Sequence, residues 1–156
     1  MDAKLINSFI NAARTVFKTM LSMEMDMDKP FVKPTSSTSG DITGVIGFAG
    51  DKKGTMCISI KQKGALYIYS MLIGDDKPGI TAEVVDAIGE LTNIISGQAR
   101  KELEGNGINL KAAIPTVIVG SGLELHFIGR LPVLSLPFHF KINGVDETMH
   151  VDFSFE

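Results

Sequence analysis

The sequence predicts an α+β fold, with an antiparallel or mixed β-sheet packed against long helices. Three observations predict it. Helical periodicity dominates the first 25 residues and residues 81–104, whereas short alternating runs bounded by turn residues fill 43–60 and 112–155. The order is helix, strands, helices, strands, and such segregated runs belong to α+β rather than α/β architectures. The chain has 156 residues, 44% of them hydrophobic. A chain of that size buries roughly two-thirds of its unfolded surface, so one domain spanning 1–156 is expected.

The first segment is an amphipathic helix. Leu5, Ile6, Phe9, Ile10, Ala13, Val16, Phe17 and Met20 recur at the spacing of one buried face. It is expected to end near residues 23–25, before the Met-Asp-Met-Asp run. Pro30 and Pro34 then hold the chain extended, and 35–40 reads as a loop. Strands are predicted over 43–49 and 55–60, joined by a Gly/Asp turn at 50–54. A short helix over 64–73 stops at Gly74. A long helix begins near Thr81, with Glu83 and Asp86 complementing its dipole, and closes at Gly105-Asn-Gly107. The last third reads as strands over 112–119, 123–128, 133–142 and 149–155, with an Asn143-Gly144 turn between the last two. Pro137 favours an edge position or a bulge.

Composition excludes several kinds of chemistry. The lone Cys57 can form neither an intramolecular disulfide nor a CxxC metal site. His126, His139 and His150 are scattered without ligand spacing. Fifteen Lys and Arg against eighteen Asp and Glu give a net charge of −3, without the basic footprint of a nucleic-acid binder. Asn7, Asn11, Arg14 and Lys18 interrupt the N-terminal apolar run, and no stretch is long enough for a spanning helix. A cytoplasmic protein that binds neither nucleic acid nor membrane is expected. Cys57 alternates with Met56 and Ile58 and reads as filler of a core or interface. Gly44-x-x-Gly47 lacks the context of a phosphate loop and reads as allowing tight sheet packing.

The long helix is the most informative segment. At about 100° per residue, Val84, Ile88, Leu91, Ile95 and Ala99 form an apolar face. Asp86, Glu90, Asn93 and Gly97 form a stripe on the other side, continued by Arg100. A solvated helix face is the plain explanation. Against it, Asn is a mediocre helix former, and Gly89 and Gly97 each cost about 1 kcal/mol relative to Ala. Two interior glycines suggest close approach by another backbone. Gly97 lies on the polar stripe, where a partner could dock. Gly89 lies between the faces, where packing against a neighbouring element explains it equally. Glu90 and Asn93, three residues apart, are neighbours on the helix surface. They offer an acceptor-only carboxylate and an amide with both donor and acceptor ends. Such a pair forms no nucleophilic triad, but it can position a water and grip a cation on a partner.

Asp86-x-x-x-Glu90-x-x-Asn93, within DAIGELTNIISGQAR, resembles the signature of the CheC/CheX/FliY family of bacterial chemotaxis phosphatases. The N-terminal helix, the Gly40-Asp-Ile-Thr-Gly-Val-Ile-Gly segment and Ala113-Ile-Pro-Thr-Val-Ile are similar to the CheX branch in particular. The resemblance covers nearly the whole chain and implies a CheC-like fold. It implies dephosphorylation of a phosphorylated CheY-type response regulator. Asn93 would orient the attacking water, and Glu90 would contact the regulator's active-site lysine. Asp86, Gly97 and Arg100 would be contact positions. Mg²⁺ would sit on the regulator, leaving this chain without a cofactor of its own. The first helix has Asn7 and Asn11 but no matching Glu, so one site per chain and a homodimer formed through the β-sheet are expected. The competing class is a non-catalytic module that docks a regulator or joins a flagellar switch without turnover.

Overall fold

The structure is a computed structural model that describes residues 2–33, 37–126 and 132–156. In chain order the elements are α1 (Ala3–Leu21), β1 (Asp26–Met27), β2 (Phe31–Val32), β3 (Ile42–Gly50), β4 (Gly54–Ile60), α2 (Gln62–Ile73), α3 (Ala82–Gly105), β5 (Leu110–Ala112), β6 (Thr116–Val119), β7 (Leu134–Ile142) and β8 (Val145–Phe155). Among the described residues the strands form one sheet in the order β1-β7-β8-β4-β3-β5; β2 also pairs with β7 and β6 with β3. Every pairing between these strands is antiparallel.

Register divides the sheet into two unlike faces. Ile42 opposes Ile60, Ile46 opposes Met56, Met56 opposes Phe153, and Ile58 opposes Val151. This apolar face meets the buried faces of α1, α2 and α3 in one core. Phe9 of α1 stacks on Phe153 at 5.1 Å between centroids and meets Phe48 edge-on at 5.9 Å. On the other face, Thr43 opposes Ser59, Cys57 opposes Asp152, and Ser59 opposes His150. Alternation therefore yields an oily face and a polar one, as the pleat requires. The polar face is also buried: Thr43, Cys57, Ser59, Ser135 and Asp152 are all 5% exposed or less. Lys33, Ser37, Thr38, Leu125 and Val133 line a small void against it with Cys57, Ser59 and Asp152. Burial pushes the Cys57 thiol up to about 12, with Asp152 adding to the shift and Lys33 opposing it. It is inert filler, as its alternation suggests.

Several boundaries differ from expectation. Helix α1 ends at Leu21 because Ser22 turns left-handed (φ 51°), and Met20 is 42% exposed rather than buried. The run over 112–119 breaks into β5 and β6 around Ala113-Ile114-Pro115, where proline removes a ladder donor. The last strand begins at Val145, four residues early, because Asn143 (φ 50°) and Gly144 (φ 80°) make a two-residue hairpin turn. Pro137 lies between the stretches of β7 paired with β1 and β2, and its carbonyl accepts from the Asp28 N–H. The missing N–H thus faces the broken side of the ladder, and β8 keeps its full pairing. Pro34, the 35–36 part of the expected loop, and Phe127 and Ile128 of the expected strand lie outside the described residues. Within 123–126, Glu124 makes an isolated bridge to Ser37.

His150 gives a test of the buried polar face. Burial holds its imidazole below the usual range, with Asp152 opposing and Lys33 assisting. Folding therefore favours the neutral ring. A folded-state pKa below the unfolded one stabilises above the unfolded value, about 6.5, and that contribution is lost as pH falls below it. Part of the loss in melting temperature between about pH 7.5 and about pH 5.5 should come from this group. His150→Gln should flatten that part of the profile; an unchanged slope contradicts the assignment.

Candidate functional site

Helix α3 is built to present one face and bury the other. Thr81 caps its start by accepting from the Val84 N–H. Glu83 in the first turn is held below the usual carboxylate range, chiefly by its own main-chain N–H and then by the Thr81 hydroxyl. Val84, Ile88, Leu91, Ile95 and Ala99 are completely buried, as the periodicity predicts. On the outer stripe Asp86, Glu90 and Asn93 are exposed, while Gly97 and Arg100 are half-buried. The structure thus brings all five expected site residues onto one helix face.

Among the described residues, neither Glu90 nor Asn93 uses its side chain in a hydrogen bond or ion pair. Both carboxylate oxygens and both ends of the amide are left for a partner. Arg100 carries a buried Nε with no hydrogen-bond partner. Such a donor is uncommon in a folded protein.

The two helical glycines prove unlike. A methyl on Gly89 would stand 3.2 Å from Cγ2 of Val117 on β6, so this glycine lets α3 lie close to the sheet. A methyl on Gly97 would meet only Arg100 Nη2, at 3.9 Å. Among the described residues no other element requires a glycine there, and the open notch lies on the Glu90/Asn93 stripe.

Sequence reasoning missed how firmly this helix is seated. Thr92, fully buried next to Asn93, fills the space above Gly44 of β3, and its hydroxyl donates to Ile88 O at 2.8 Å. Ser96, also fully buried, donates to the Asn93 carbonyl at 2.9 Å. The signal was present in Gly44: the expected tight packing is real, and Thr92 is what packs there. At Gly47 the space is open. On α1, Asn11 donates to Glu102 of α3 at 2.9 Å, a contact that joins the two helices.

The model of the family described as chemotaxis phosphatase CheX matches residues 42–139, more than half of the chain and inclusive of the Glu90/Asn93 stripe. A protein from Thermotoga maritima named CheY-P phosphatase CheX is 28% identical over 138 residues, which cover 88% of each chain. A CheC-like superfamily protein of known structure from Shewanella sp. PV-4 is 30% identical, covers 100% of this chain and 99% of its own, and superposes with a TM-score of 0.89. The structure of a CheX–CheY–BeF3–Mg²⁺ complex from Borrelia burgdorferi covers 97% of each chain at 24% identity and a TM-score of 0.81, and so shares the fold. The family match spans the strands that seat α3, α3 itself and the Ile114-Pro115-Thr116 segment beside it, and on that match the chain belongs to the chemotaxis phosphatase CheX family.

Proposed function

We propose that this chain hydrolyses the aspartyl phosphate of a CheY-type response regulator, with Asn93 orienting the attacking water and Glu90 gripping the regulator's active-site lysine. The observation that carries this reading is the pair itself. Among the described residues Glu90 and Asn93 stand exposed and unpartnered one turn apart, on a helix whose opposite face is fully buried. In the proposed step the water oxygen bonds to phosphorus, the bond from phosphorus to the aspartyl oxygen breaks, the regulator's carboxylate leaves with that electron pair, and the water's proton passes to a phosphoryl oxygen of the inorganic phosphate formed. The Asn93 amide accepts from the water or donates to it and holds it in line. Phosphoryl transfer through a loose transition state relies on positioning and charge stabilisation rather than a strong base, so an amide suffices. Mg²⁺ belongs to the regulator in this reading, and the chain supplies none of its ligands.

Asp86, Gly97 and Arg100 serve as contact positions: a second carboxylate, a notch for a close backbone, and a half-buried guanidinium. Although α1 and β8 lie outside the matched span, both contribute to the same core. We therefore read 1–156 as one working domain. A homodimer through a sheet edge also fits, because β6 pairs only with β3 among the described residues and Val119 on it is 54% exposed. Among the described residues no helix is long and apolar enough to cross a membrane. A site in the cytoplasm follows from the proposed substrate.

The direct test is phosphate release from phosphorylated receiver domains with and without this chain. Acceleration for at least one CheY-type regulator is expected; none for any of them overturns the reading. Glu90→Ala should raise the regulator concentration needed for half-maximal rate by tenfold or more, since a hydrogen bond to a charged group contributes about 1.5–3 kcal/mol. An unchanged concentration dependence removes Glu90 from the docking contact.

A further inference from the structure

Two close approaches seat α3 on the sheet, and they meet at one place. Thr92 lies over Gly44, and Gly89 lies over Val117. Gly44 and Val117 are themselves directly paired between β3 and β6. Gly89 and Thr92 are one helical turn apart. A small residue on the helix thus receives a large one from the sheet, and a small residue on the sheet receives a large one from the helix. The residues that follow the two helix members are Glu90 and Asn93.

We propose that this reciprocal pair, Gly44 with Thr92 and Gly89 with Val117, is a rotational clamp that sets where Asn93 presents its amide. Gly44, Thr92, Gly89 and Val117 are positioning residues. The inference rests on the proposed phosphatase reading. A methyl on Gly44 would overlap the Thr92 hydroxyl and stand 3.0 Å from its Cβ. The helix can relieve that overlap by lifting or by turning. Side-chain tips lie about 5–6 Å from a helix axis, so a turn of about 10° carries the amide about 1 Å. A misplacement of about 1 Å is enough to lower a rate about 10²-fold. Docking spreads over Asp86, Glu90, Gly97 and Arg100 and tolerates a shift of that size better than an in-line attack does.

The test is steady-state phosphate release from a phosphorylated CheY-type regulator. Gly44→Ala should lower kcat by about 10- to 100-fold with KM changed less than about threefold. Gly44→Ala/Thr92→Ala, which removes the side chain that the new methyl meets, should recover most of that loss. Gly89→Ala should lower kcat at least fivefold without lowering the melting temperature, because alanine favours helix over glycine. A merely structural role cannot separate activity from stability in that way, and Gly89→Ala guards against a Gly44 variant that fails to fold. Folded variants with wild-type kcat, or a double variant no better than Gly44→Ala, overturn the clamp. Asn93→Ala in the same assay keeps the two ideas apart. If it is inactive while Gly44→Ala and Gly89→Ala keep full kcat, the clamp fails and the phosphatase reading stands; if it retains full activity, Asn93 does not orient the water, and the clamp fails together with that assignment.

Discussion

Asn93→Ala is expected to lower kcat for phosphate release by about 10²-fold or more while leaving affinity for a beryllofluoride-activated regulator within about threefold of the original. The side chain is exposed and makes no hydrogen bond among the described residues, so its removal strands no buried partner there and opens no cavity. The melting temperature should therefore stay put, and any loss of rate reports chemistry rather than folding. Asn93→Asp sharpens the test. It keeps the shape but replaces the amide donor with a carboxylate facing a phosphoryl group, so it should lose the rate as fully as alanine and weaken docking as well. An alanine variant that accelerates dephosphorylation at the normal rate would remove Asn93 from the mechanism. One that loses rate and docking together would make it a contact residue instead.

The site was legible because a helix exposes its plan in its period. Five apolar positions on α3 repeat at helical spacing and all five are completely buried, so the polar stripe had to face outward. What periodicity could not supply was the neighbour of each residue. Gly89 and Gly97 look alike in sequence; one meets Val117 and the other meets only Arg100 of its own helix. Thr92 reads as a weak helix former beside an apolar face. Its partner Gly44 is 48 residues away, and only the β3–α3 packing brings the two together.

The fold was legible to the same depth. Strong alternation placed β7 and the second half of β8, and a Gly/Asp turn between two apolar runs placed β3 and β4. Two-residue strands such as β1 and β2 have no period to read. They exist because β7 offers them a ladder, interrupted at Pro137. Alternation divides the sheet into an apolar face and a second face. The second face is polar, but segments on either side of it cover it, and nothing local to Thr43, Ser59 or Asp152 announces that burial. The cover depends on a residue that sequence patterning gives no reason to choose, Lys33.

Lys33→Met is expected to destabilise the fold by about 3–5 kcal/mol. Lys33 Nζ sits 2.7 Å from Asp152 Oδ2, with both side chains 9% exposed or less, and it also donates to Ser39 Oγ at 3.0 Å and Ser37 O at 2.5 Å. Those bonds fasten the segment after β2 to the middle of the sheet. Asp152 Oδ1 is already buried without a partner, so loss of the lysine strands both oxygens of a charged group away from water. The cost comes from the abandoned charge more than from the lost attraction, and the two contributions separate by experiment. Lys33→Met/Asp152→Leu replaces the pair with apolar groups of similar size and should recover most of the stability, as exchange of a whole buried pair is often neutral. For a chain of this length the single variant should melt roughly 10 °C lower. Phosphatase activity measured well below that melting point should be unaltered, because Asp152 lies on the sheet face turned away from α3. A double variant as unstable as the single would show that the hydrogen bonds to Ser37 and Ser39, rather than the stranded carboxylate, carry the loss. A single variant that is folded but inactive would tie the sheet face turned away from α3 to catalysis.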